Sequence, residues 1–159
     1  MSDHRGTSLL EVVIVGGLVA SLLWITWLAE PLLSRVALRS AAATLVADLR
    51  LAQARAIAEH EPDRRHGIEF RPGDARYVIF ARAGSSTIAV RERRLPARVR
   101  LTFVRFGGTT PSAVFFTGVS LLGAPSGGGT VTLAAGNARL CVRVLPATGR
   151  IRVSNTGCP

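Results

Sequence analysis

The chain has 159 residues, 48% of them hydrophobic and 6% aromatic, with 16 glycines and 8 prolines. That is enough for one small core and a short anchor, and it excludes both a multidomain enzyme and a disordered tail too poor in apolar residues to fold. The formal net charge is +10 and every basic residue is an arginine; part of that excess reflects codon composition, yet it still sets up a positive field that attracts polyanions.

The first six residues are polar and end in Gly6, with Arg5 just before it. From Val12 to Ala29 eighteen residues then follow without a charge. As a helix they span about 27 Å, enough to cross a bilayer core. A secretory signal places its cleavage site after the apolar stretch and discards it. Here the small residue comes first, so the apolar stretch is kept. Glu11 stands at its entrance, where a carboxylate in lipid is costly unless it has a partner.

The string Gly6-Thr7-Ser8-Leu9-Leu10-Glu11, running into that apolar stretch, resembles the class III signal of type IV pilins and type II secretion pseudopilins. The resemblance implies that a prepilin peptidase cuts between Gly6 and Thr7 and that the new N-terminus is methylated on Thr7. It also implies that Glu11, fifth in the mature chain, pairs with the N-terminal amine of a neighbouring subunit as a filament assembles. Thr7 departs from the phenylalanine more usual in these proteins.

Beyond Pro31 the helix is expected to continue to residue 61. Leu38, Ala42, Leu45, Leu49, Ala52 and Ala56 recur at spacings of four and three and draw one apolar stripe. Arg35, Arg39, Asp48, Arg50 and Arg55 are assigned to the other faces. Pro31 is expected to kink or loosen the helix and Pro62 to end it. Eight short β-prone runs follow: 67–70, 77–81, 87–91, 99–103, 113–116, 130–133, 140–145 and 150–153. Glycine and proline turns separate them. A long N-terminal helix followed by antiparallel strands is an α+β layout, with the helix stripe packed on one sheet face. The expected organisation is a leader at 1–6, a transmembrane and assembly helix at 7–30, its amphipathic continuation at 31–61 and a β-rich domain at 62–159.

In the C-terminal half, Phe116-Thr117-Gly118, Gly129 to Leu133, Leu140 to Val144 and Thr148-Gly149-Arg150-Ile151-Arg152-Val153 resemble the GspH/FimT group of pilin-like proteins. Cys141 and Cys158 form an even pair in a domain expected outside the cytoplasm, which favours a disulfide over two buried thiols; no further ligands at metal-binding spacing accompany them.

Two arginine groups stand out. Arg91, Arg93, Arg94, Arg98, Arg100 and Arg105 surround one expected strand and turn. Arg139, Arg143, Arg150 and Arg152 lie on the C-terminal hairpin, where residues two apart share a face. Guanidinium groups grip phosphate oxygens without reading base sequence, and the FimT resemblance implies DNA uptake through basic residues of this region. The plain alternative is solvated strand faces, or pairs with Glu69, Asp74 and Glu92.

Catalysis finds little support. Gly118 to Leu122 lacks the final glycine of a nucleophile elbow, Gly123 to Thr130 lacks the lysine of a phosphate loop, and His4, His60 and His66 form no ligand cluster. No cofactor is expected. The reading is a minor pilin or pseudopilin of a type IV pilus or type II secretion system. It would sit in the inner membrane as a single-pass protein with its C-terminal domain outward, near a filament tip. Its partners would be other pilins, the prepilin peptidase and, for DNA uptake, double-stranded DNA. A secretion role without DNA is the alternative, and a membrane-anchored periplasmic enzyme the remote one.

Overall fold

The computed structural model describes residues 9–61, 63–107, 112–118 and 123–159, with the side chains of 25–29, 89 and 90 set aside. The leader and the Gly6–Thr7 cleavage position therefore lie outside the described residues. The chain divides into two units, 1–33 and 34–159.

Helix α1 runs from Leu9 to Glu59 and carries Pro31 inside it. In the first unit its described apolar side chains, from Leu9 and Leu10 to Leu22 and Leu23, are exposed. Among the described residues no helix is long and apolar enough to cross a membrane; the span read at 12–29 includes 25–29, whose side chains are outside the description.

In the second unit the stripe Leu38, Ala42, Leu45, Leu49, Ala52 and Ala56 is buried throughout. Its small residues let the helix lie close to the strands. The helix stops at Glu59, before the expected limit of 61, because His60 takes a left-handed φ of 50°. The residue preceding Pro62 is also biased away from helical conformation.

The eight strands are β1 (Arg64–Phe70), β2 (Arg76–Ala83), β3 (Ser86–Arg94), β4 (Arg100–Phe106), β5 (Ala113–Thr117), β6 (Gly129–Ala135), β7 (Ala138–Val144) and β8 (Ile151–Ser154). They form two four-stranded antiparallel sheets, ordered β3-β2-β1-β5 and β4-β6-β7-β8. Alternation, with a register shift between Leu101 and Phe103 in β4, sends Ile68, Phe70, Tyr77, Val114 and Phe116 of the first sheet inward, and Leu101, Phe106, Val131, Leu133, Val142 and Val144 of the second, into one core with the α1 stripe. Phe70 and Phe106, with ring centroids 5.7 Å apart, close the seam between the sheets.

Two expectations need correction. Asp48 is not on a solvated helix face but buried, at 5% exposure. The arginines of the first group do not share one surface either: Arg91, Arg93 and Arg94 belong to β3 in one sheet, Arg100 and Arg105 to β4 in the other. The turn at 95–99 carries the chain from one sheet to the other, and only pairing between distant strands decides which faces meet.

Candidate polyanion-binding face

The C-terminal hairpin begins at Gly136, whose φ of 56° suits the two-residue turn between β6 and β7. A second tight turn joins β7 to β8: the Gly149 N–H donates to the Leu145 carbonyl at 2.9 Å and the Leu145 N–H to the Arg150 carbonyl at 3.0 Å. Alternation along β7 points Val142 and Val144 into the core and leaves Arg139 and Arg143 exposed.

Register then extends this face across all four strands. Arg105 opposes Thr130, Thr130 opposes Arg143, and Arg143 opposes Arg152. A second row runs from Arg100 through Ala134 to Arg139. With strands about 4.8 Å apart, Arg105, Arg143 and Arg152 lie within one short band. The expected strand 150–153 begins instead at Ile151, so Arg150 sits in the turn, exposed, just before the band.

Between the two rows the tail folds back over the sheet. Cys141 and Cys158 are joined by a disulfide, with Cα atoms 5.6 Å apart. The Arg143 Nη2 donates to the Gly157 carbonyl, and the Thr132 hydroxyl to that of Pro159 at 3.5 Å. Closing a loop of 17 residues restricts the unfolded chain, so replacing both cysteines by serine should lower stability by about 3 kcal/mol. Urea titration of the 34–159 unit measures this, and a loss below about 1 kcal/mol would mean that the tail is held chiefly by Arg143 and Thr132.

Among the described residues, none of Arg100, Arg105, Arg139, Arg143, Arg150 and Arg152 forms an ion pair. Two of the three acids named as alternative partners, Asp74 and Glu92, pair with arginines of the other sheet. Asp74 and Glu92 hold Arg76 at 3.1 and 3.2 Å, and Glu92 also lies 3.8 Å from Arg94.

Two polar constellations were not anticipated from sequence. The Tyr77 hydroxyl donates to Asp48 at 2.6 Å, and Arg93 donates to both carboxylate oxygens of Asp48 at 3.2 Å. Burial, then the hydrogen bond to Asp48, pushes the Tyr77 hydroxyl's pKa far up, while Asp48 raises that of Arg93. A signal was present: Ala41, Leu45, Asp48 and Ala52 follow the same four, three, four spacing as the core stripe. Nearby, Glu59 accepts from buried His66 at 2.7 Å and forms an ion pair with Arg64 at 3.1 Å, and the His66 hydrogen bond holds its carboxyl below the ordinary range.

Glu11 lies in the first turn of α1. Glu11 belongs to the first unit and the arginine face to the second.

A long helix whose C-terminal half lies on two antiparallel sheets defines a pilin-like class of protein. Among solved structures the fold is similar to the minor pseudopilin EpsH from the type 2 secretion system of Vibrio cholerae, with a TM-score of 0.54 and 14% identity, covering 76% of this chain and 98% of that one. The family model of the type II transport protein GspH matches residues 41–157. The chain belongs to the GspH family. No curated protein sequence matches it.

Proposed function

We propose that this protein is a minor pseudopilin of a type II secretion system. The observation that carries the reading is a coincidence of two segments that do not overlap: the GspH match at 41–157 and the prepilin-type string at 6–11. In this reading residues 7–30 hold the precursor in the inner membrane and a prepilin peptidase cuts after Gly6. Thr7 is methylated, and the helix passes from lipid into a pseudopilus beside other pseudopilins. Its work is assembly, not turnover. A carboxylate at Glu11 is unfavourable in lipid alone and less so beside a neighbour's terminal amine, so the charge favours docking and sets axial register. Glu11→Ala should therefore leave processing unchanged and reduce recovery in sheared pseudopilus fractions roughly tenfold. Undiminished incorporation would show that the charge plays no part in docking.

A second reading, contact with double-stranded DNA as in a type IV pilus uptake machine, is favoured by the Arg143–Arg152 cross-strand pair. Like charges directly opposite each other destabilise a sheet, and no carboxylate among the described residues relieves this pair. A phosphate lying across the band would. The 34–159 unit, titrated with duplex DNA against salt, should bind with a steep salt dependence that flattens when Arg143, Arg150 and Arg152 become alanine. Absent binding at low salt would leave the secretion reading alone.

A further inference from the structure

Strand β8 is shorter than its partner. The β7–β8 ladder ends at Cys141↔Ser154, whereas β7 extends through Leu140 and Arg139 to Ala138, which pair with β6 on one side. Among the described residues no strand lines these three on the other side. The gap opens into a cleft of about 480 Å³ bounded by α1 on one side: it is lined by Arg35 and Arg39, one helical turn apart on the helix, by Arg139 at the sheet edge, and by an apolar floor of Leu38, Leu140 and Val153. Among the described residues no acidic side chain lines it. Among the described residues none of the three arginines has an ion-pair partner.

We propose that this cleft receives an extended acidic segment of a different subunit, which completes the sheet beside residues 138–140 and sets its carboxylates among Arg35, Arg39 and Arg139. Each feature selects against another occupant. An apolar floor contributes nothing to a phosphate backbone, which is better served by the open arginine band on the outer sheet face. A second copy of this chain carries the same net +10 and is repelled. An unpaired stretch of sheet edge is satisfied by another strand through main-chain hydrogen bonds, and the arginines add the choice of partner. The proposal rests on the reading of the chain as an assembly subunit.

The test uses the full chain in secreting cells, with the photo-crosslinking residue p-benzoylphenylalanine placed at Asn155 on the cleft rim and, in a separate strain, at Leu18 on the exposed anchor helix. The expected result is an Asn155 cross-link to another pseudopilin at a peptide bearing Asp or Glu, falling roughly tenfold with Arg35→Glu, Arg39→Glu and Arg139→Glu combined. Closed Cys141 and Cys158, judged by thiol labelling, show that this variant is folded; Arg39→Glu alone, with the same readout, serves if it is not. Cross-links from Asn155 to DNA, to lipid or to a second copy overturn the proposal, as does a subunit cross-link undiminished by charge reversal. Silence at Asn155 with subunit cross-links at Leu18 defeats the cleft proposal alone. Silence at both positions defeats the assembly reading with it.

Discussion

Asp48→Ala should lower the stability of the 34–159 unit by about 3 kcal/mol, in the range found when one member of a buried hydrogen-bonded set is removed. Asp48 projects from α1 and accepts from Tyr77 on β2 and Arg93 on β3. The helix and the β2–β3 hairpin therefore meet on one carboxylate. Its removal leaves the Tyr77 hydroxyl, on a side chain with no solvent exposure, without its acceptor, and that desolvation is the larger part of the loss. Arg93 is about one-third exposed and recovers water, so its share is smaller. Asp48→Asn keeps an acceptor for Tyr77 and should cost less than alanine. Tyr77→Phe combined with Asp48→Ala should cost less than the sum of the single changes, because both remove the same bond. Urea unfolding of the four proteins measures this; additive losses, or a loss for Asp48→Ala below about 1 kcal/mol, would mean that the network is a bystander.

Gly67→Ala should be nearly as damaging, at about 2 to 3 kcal/mol, through overpacking. Gly67 sits mid-strand in β1 between Phe80 of β2 and Phe115 of β5. With no side chain between them the two rings meet edge to face over the glycine, at 5.2 Å and 72°, and the Arg82 guanidinium lies 5.9 and 6.0 Å from their centroids. An added Cβ would fall 2.5 Å from the Val114 carbonyl oxygen, 3.0 Å from Phe80 Cζ and 3.1 Å from Phe115 Cδ1. The rings can shift; the Val114 carbonyl belongs to the ladder and cannot move far. Phe115→Ala should therefore fail to rescue Gly67→Ala. Gly107 is the control, since a Cβ there meets nothing closer than 3.6 Å, and its alanine variant should lie within about 0.5 kcal/mol of the parent. Equal stability of the two alanine variants in thermal or urea unfolding would contradict the packing account.

These two positions mark where the sequence was hardest to read. The helix stripe from Leu38 to Ala56 is a local periodicity, and it reappears intact as the buried face of α1. The eight strands lie close to where alternation and turn residues put them, with ends displaced by up to three residues, the longest extensions lying where a neighbouring ladder continues, as at Arg64↔Ala83. Asp48 is hard to place from sequence because its charge argues for an outward face while its spacing matches the core. Gly67 read as the first residue of a strand, and nothing local reveals that two phenylalanines close over it. The arginine face was half legible. Alternation pairs Arg139 with Arg143 along β7, but the addition of Arg105 and the direct opposition of Arg143 and Arg152 depend on register between strands remote in the chain. The cleft at Arg35, Arg39 and Arg139 was not legible at all, since it arises from the early end of β8 against a helix about a hundred residues earlier. The Gly6 to Glu11 string is different in kind: a peptidase reads a linear pattern, so it needs no fold to be recognised.

The most direct test of the pseudopilin account is the N-terminus of the protein extracted from membranes, determined by intact mass and terminal peptide sequencing. The account predicts a chain beginning at Thr7, carrying one methyl group on its amine and retaining the apolar run through Ala29. A chain that still carries residues 1–6, or one that begins beyond Ala29 after cleavage as an ordinary secretory signal, would contradict it.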